Sequence, residues 1–280
     1  MFSDIKSGDF RPRKSLGQTF LTNTTIADAL IAALNLKKGE LVLEIGPGSG
    51  ILTERLLKKG ARVIAVEIDR RLVQFLKEIF ANNTNLKVVY KDFLKFDLSQ
   101  FSSLKIIGNI PFNISSQVFF KLWEYRQNWI AAVFTTQREF AQRLLSPPGT
   151  KDYGILSVLY DYLCEKRKLF NIPARFFYPQ PKVSATAFLL KRYTNPVWRL
   201  SDEKWFYQVV QSAFFPQRRK RLLNNLCQNL KIDKEILLQK LNWVGLGQDS
   251  RAEDINFEQF ALLSEMLLPF RHTLKVRDSN

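Results

Sequence analysis

Four apolar runs in the 280-residue chain end in a polar residue that could meet a ligand. LVLEI (41–45) carries Glu44 and runs into the turn GPGSG, with Gly46, Gly48 and Gly50. RVIAVEI (62–68) carries Glu67, LKVVY (86–90) is followed by Asp92, and LKIIG (104–108) by Asn109. Glycines at such a turn let the backbone bend tightly and come close to a bound molecule. Glu67 suits the hydroxyls of a ribose. Asp92 suits an adenine amino group, and suits equally the cap of a following turn. A nicotinamide dinucleotide fits less well, because its G-x-G-x-x-G fingerprint needs glycine where Ile51 stands. An adenosine ligand without a phosphate fits best, and S-adenosylmethionine has that shape.

These residues need a frame that brings strand ends to one rim. The four runs, with WIAAVFT (129–135), alternate with helical patterns at about 24–34, 51–59, 70–80 and 114–124. Leu72, Phe75, Leu76 and Ile79 fall at helical spacing. The alternation predicts an α/β fold with a mostly parallel sheet and helices on both faces. In such sheets ligands bind beyond the carboxyl ends of the strands. Two further strands are expected near 166–171 and 184–191. Between them, the three prolines of NIPARFFYPQPKV (171–183) predict a stiff loop without regular structure. After Pro196 only helical patterns follow, at about 202–214, 219–230, 234–242 and 256–268. The expected division is therefore a catalytic domain over 1–198 and a small helical domain over 199–280.

Composition removes other chemistries. There are two isolated cysteines, Cys164 and Cys227, and a single histidine, His272, near the C-terminus. A structural zinc site takes about four such ligands, so no metal is expected. A Ser-His-Asp or Cys-His pair lacks a usable histidine. No apolar run is long enough to span a membrane, and MFSDIKSGDFRPRK has no apolar targeting segment, so a cytoplasmic location is expected. The 42 Lys and Arg outnumber the 26 Asp and Glu, a net charge of +16, which favours a polyanionic partner such as nucleic acid. Residues 1–198 hold 29 basic and 16 acidic side chains against 13 and 10 in residues 199–280, so the first part is expected to provide most of the grip. No coiled-coil pattern is present and a monomer is expected.

Taken in order, GQTFL (17–21), EIGPGSG (44–50), Glu67, Asp92, NIPFNIS (109–115) and FYPQPKVSA (177–185) resemble the ribosomal RNA adenine N6-dimethyltransferases. The resemblance continues through FFPQRRKRLLNNL (214–226) and SRAEDINFEQF (250–260), with the DYGILSVL stretch (152–159) leaning towards the type acting on the small subunit. It implies a class I, Rossmann-like methyltransferase fold with a seven-stranded sheet and a C-terminal helical domain. It also implies dimethylation of two adjacent adenosines in a hairpin loop near the 3′ end of small-subunit (16S) ribosomal RNA, during subunit biogenesis. The cofactor is then S-adenosyl-L-methionine, held by Thr19, Leu21, Gly46, Glu67, Asp92 and Asn109. Thr19 stands where the family mostly has Asn, and Phe112 where Tyr is commoner. Rival readings are a large-subunit methyltransferase of the macrolide-resistance type, and a non-catalytic nucleic-acid-binding protein on the same fold.

On this reading the target is an exocyclic adenine amine, whose lone pair is delocalised into the ring. The protein must align amine, methyl and sulfur and hold them close. The Asn109 side-chain oxygen and the Ile110 carbonyl are expected to accept the amine hydrogens. Phe112 is expected to stack on the flipped base, and Phe177 to supply a second face. Unstacking a base costs a few kcal/mol, and stacking on an aromatic returns roughly 1–3 kcal/mol. Two basic clusters, RPRK (11–14) and QRRKR (217–221), are expected to hold phosphates, the second through Arg218, Arg219, Lys220 and Arg221.

Overall fold

The structure, a computed structural model, describes residues 12–195, 198–216 and 220–273. The chain forms two compact units: one holds the described residues to Ala141 with Glu165–Arg192, the other holds Gln142–Cys164 and the described residues from Tyr193 on.

The first unit is a seven-stranded sheet. Its strands are β2 (Leu41–Ile45), β3 (Arg62–Glu67), β4 (Leu86–Tyr90), β5 (Leu104–Asn109), β6 (Trp129–Gln137), β7 (Cys164–Ile172) and β9 (Ala185–Arg192). The strand order is β4-β3-β2-β5-β6-β9-β7. The first five strands in that order run parallel, and β9 pairs antiparallel with β6. Between them run helices α1 (Thr24–Ala33), α2 (Ile51–Lys58), α3 (Arg70–Ile79) and α4 (Ser115–Glu124). Alternate strand residues point to opposite faces. Val133 and Ala187 thus join a core cluster with Leu30 of α1 and Leu56 of α2. Their neighbours Phe134 and Phe188 pack instead on Phe119 of α4, with ring centroids 5.1 and 5.9 Å away. Val42, Leu43, Ile106 and Phe134 have 0% exposure, as the continuous apolar runs require.

The proline-rich segment is more regular than expected. A short strand β8 (Phe177–Tyr178) pairs antiparallel with β1 (Phe20–Leu21), setting Phe20 opposite Tyr178 and Leu21 opposite Phe177. The ladder is too short to need a donor from Pro173 or Pro179, which flank it. Thr22 extends the tie through its N–H and its hydroxyl, both donated to the Phe176 carbonyl at 2.8 and 2.9 Å.

The second unit also departs from expectation. Residues 142–164, assigned from sequence to the first domain, pack with the C-terminal helices. Helix α6 (Ile155–Leu163), which follows α5 (Arg138–Leu145), buries Val158, Leu159, Tyr160, Tyr162 and Leu163. It packs on α7 (Glu203–Phe214) and α10 (Phe257–Leu267). Tyr162 donates its hydroxyl to Glu203 at 2.7 Å, and its ring lies 5.4 Å from that of Phe206. A helix apolar on most of its surface needs partners around it, and α7 and α10 supply them. Helices α8 (Leu222–Leu230) and α9 (Lys234–Trp243) complete this unit, close to the predicted spans. No helix among the described residues is long and apolar enough to cross a membrane.

Candidate active site

The carboxyl ends of β2 to β5 open onto a cleft enclosing about 1090 Å³ of free space, mouth included. Thr19, Leu21, Gly46, Glu67, Asp92 and Asn109 all line it, so the six residues expected to hold the cofactor are brought together.

Each is placed by its strand. Gly46 leaves β2 with φ of +64°, and nothing within 4 Å meets a Cβ built there, so the turn faces open space. Gly48, at φ of +56°, cannot take a side chain: a Cβ would lie 2.8 Å from the Phe20 ring. Glu67 is 5% exposed. Its Oε1 accepts from the Ile68 and Asp69 N–H groups, both at 2.9 Å. Its Oε2 takes only a 3.3 Å bond from the Gly48 N–H, leaving capacity for a hydroxyl donor. Burial pushes its pKa up, and the backbone donors oppose that. Asp92 is the cap weighed from sequence, and it also faces the cleft. Its Oδ1 caps the turn Phe93–Lys95 through the Leu94 N–H at 2.9 Å, while the residue lines the cleft.

Glu44 departs from the expected rim. It is wholly buried, does not line the cleft, and accepts the Thr53 hydroxyl at 2.6 Å. Its other carboxyl oxygen has no hydrogen-bond partner. Burial pushes its pKa up to about 8, with the Glu67 charge adding to the rise and the Thr53 bonds opposing it. Glu44 is thus a buried carboxyl beneath the glycine turn.

The loop after β5 is anchored from both sides. Asn109 Nδ2 donates to the Thr19 carbonyl at 2.7 Å, which makes Oδ1 the remaining amide atom and an acceptor. The Ile110 N–H donates to the Thr135 carbonyl on β6 at 2.9 Å. Thr19 meets Asn109 through its main chain. Phe112, half-buried, begins a short 3-10 turn to Ile114; Pro111, Asn113 and Ile114 line the cleft and Phe112 does not. Phe177 is not brought to the cleft. It is 4% exposed in the core cluster with Leu21 and Ile172.

Of the phosphate-binding candidates, Arg218 and Arg219 lie outside the described residues, as does Arg11 of the first cluster. Lys220 and Arg221 belong to the second unit and are exposed. Arg221 pairs with Asp249 at 2.9 Å. The sequence reading missed Gln18 and Asp69, which lie against the cofactor wall. Asp69 looks in sequence like an ordinary helix cap, and it does cap α3; its second task depends on a residue 51 positions away.

Parallel strands in this order, an antiparallel strand inserted near one edge, and a cleft over a glycine turn define a class I S-adenosylmethionine-dependent methyltransferase fold. A crystal structure of a dimethyladenosine transferase from Plasmodium falciparum superposes with a TM-score of 0.77 at 28% identity, covering 90% of this chain and 98% of that one. The 23S rRNA methyltransferase ErmE gives 0.69 at 28% identity, covering 89% and 99%. Proteins called ribosomal RNA small subunit methyltransferase A match along nearly the whole length. The one from Bacillus cytotoxicus is 36% identical over 95% of both chains, and that from Bacillus mycoides 37% over 94% of both. The family model for ribosomal RNA adenine dimethylase matches residues 9–268. The chain belongs to the ribosomal RNA adenine dimethylase family.

Proposed function

We propose that the protein dimethylates the N6 amines of two adjacent adenosines in a hairpin loop near the 3′ end of small-subunit ribosomal RNA, in the cytoplasm, as a monomer acting on the immature subunit. The observation that carries this reading is the anchored amide of Asn109. With Nδ2 committed to Thr19, the acceptor Oδ1 is the group left for the hydrogens of an incoming amine.

The cleft fits S-adenosylmethionine. Glu67 Oε2 would hold the ribose hydroxyls, Asp92 the adenine amino group, and the open face of Gly46 the approach of the methionine end. When bound, the cofactor supplies an electrophilic methyl on a sulfonium centre. The chain supplies position. Asn109 Oδ1 and the Ile110 carbonyl accept the two amine hydrogens, draw the nitrogen towards a pyramidal shape and free its lone pair. Asn109 is neutral and takes no proton, so the amine loses its proton after transfer. Pro111 stiffens the loop. Phe112 offers the face that holds the unstacked base, and a tyrosine hydroxyl is not needed for that. A second face from Phe177 requires its ring to leave the core. The first unit carries the chemistry, and the second unit, with the 217–221 cluster, adds contacts to the RNA backbone.

The relatives called small subunit methyltransferases favour the small subunit over the large one. The test is to map methylated adenines in both ribosomal RNAs from cells with and without the protein. Loss of paired dimethyladenosines near the small-subunit 3′ end supports the reading. Loss in the large-subunit RNA instead contradicts it. Calorimetric binding of S-adenosylmethionine separates an enzyme from a non-catalytic relative.

A further inference from the structure

The segment Arg13–Leu21 crosses the cleft and touches both of its walls. At one end Gln18 is a bridge. Its Oε1 accepts the Arg13 N–H at 2.7 Å, and its Nε2 donates to Asp69 Oδ2 at 3.0 Å. Asp69 is fully buried and held by Arg71 at 2.7 Å. Its own N–H is one of the donors that fix Glu67 Oε1. At the other end the Thr19 carbonyl fixes Asn109. Between them Gly17, at φ of +62°, lies so close to the catalytic loop that a Cβ would sit 2.8 Å from Asn113 Oδ1 and 3.5 Å from Pro111 Cβ.

We infer that Gln18 is a positioning residue: it fastens residues 13–19 as a strap from the ribose-binding wall to the Asn109 loop, so that a filled cofactor site and a correctly turned Asn109 amide depend on one another. A buried carboxylate facing an uncharged amide from a distant segment is a specific tie: Asp69 holds Arg71 through both oxygens and shares Oδ2 with the Gln18 amide, while the Arg13 guanidinium of the same strap lies 3.9 Å from Oδ1. Release of that bond loosens residues 13–19 ahead of the β1–β8 ladder, and with them the Thr19 carbonyl whose position presents Oδ1 to the amine.

The inference rests on the proposed reaction, and its test separates the two. Gln18→Met keeps the side-chain length and removes both hydrogen-bonding atoms. It should lower kcat by about 10- to 100-fold, the usual scale for a misplaced reacting group, with little change in RNA KM or thermal midpoint. In the wild type, S-adenosylhomocysteine should protect the bond after Lys14 from trypsin, and in Gln18→Met that protection should be lost. Gly17→Ala should push the strap off Asn113 and lower kcat while keeping the protection. Normal kcat and normal protection in Gln18→Met would overturn the inference, as would a fall in activity that merely follows a fall in thermal midpoint. Full transfer by Asn109→Ala would instead overturn the reaction assigned to the site.

Discussion

The two walls of the cleft are built differently. In the wall from β2 to β4 most polar groups are already engaged by the chain's own backbone. Glu67 accepts from three backbone N–H groups, Asp92 caps a turn, and Gly48 lies directly against the Phe20 ring. The wall formed by the Asn109 loop is held by main-chain ties at Thr19 and Thr135, yet leaves an amide oxygen uncommitted. On the proposed reaction, the wall with its polar groups already oriented binds the cofactor, and the wall with a group left open receives the base that the RNA delivers. The first wall should therefore govern cofactor affinity and the second the chemical step.

Substitutions can break that division, and Asn109→Ala should do most. Methyl transfer should drop by at least about 10²- to 10³-fold, the scale for losing one preorganised polar group at a reacting centre, as read by transfer of labelled methyl to RNA. Glu67→Gln comes next. Calorimetry should show cofactor binding weakened by about 1.5–3 kcal/mol, the range for a charge-assisted hydrogen bond, with kcat at saturating cofactor much less affected. Phe112→Ala should cost roughly 1–3 kcal/mol in base binding, seen as a raised RNA KM, while Phe112→Tyr should stay near wild type.

The placing of Gly46, Glu67 and Asp92 on the cleft was legible in the sequence because they follow strands whose apolar runs are unmistakable and whose ends share one rim by topology. Asn109 was legible for the same reason, and the structure adds which of its amide atoms is left free. Gln18 and Asp69 were not legible, because their bond joins segments 51 positions apart and each has an ordinary local explanation. Helix α6 escaped for a related reason. Its apolar residues surround the helix, so no single-sided stripe marks it. Glu44 misled in the opposite direction: strand position suggested the rim, whereas strand alternation turns its side chain towards Thr53.

A last expected effect, on stability rather than on activity, concerns the buried carboxyl of Glu44. Its pKa is raised in the folded chain to about 8. The folded state then holds a proton that the unfolded chain gives up near pH 4.5, so its contribution falls as pH rises between those values. Glu44→Gln removes the titration. Urea melts at about pH 5 and about pH 9 should show a shallower loss of stability in the variant than in the wild type.

The division between the walls is tested most directly by one preparation of Asn109→Ala, assayed for S-adenosylmethionine affinity by calorimetry and for methyl transfer to immature small subunits. The account predicts that transfer is abolished while affinity falls by less than about tenfold, or 1.4 kcal/mol. Near-normal turnover, or a loss of affinity large enough to explain the loss of transfer, would contradict it.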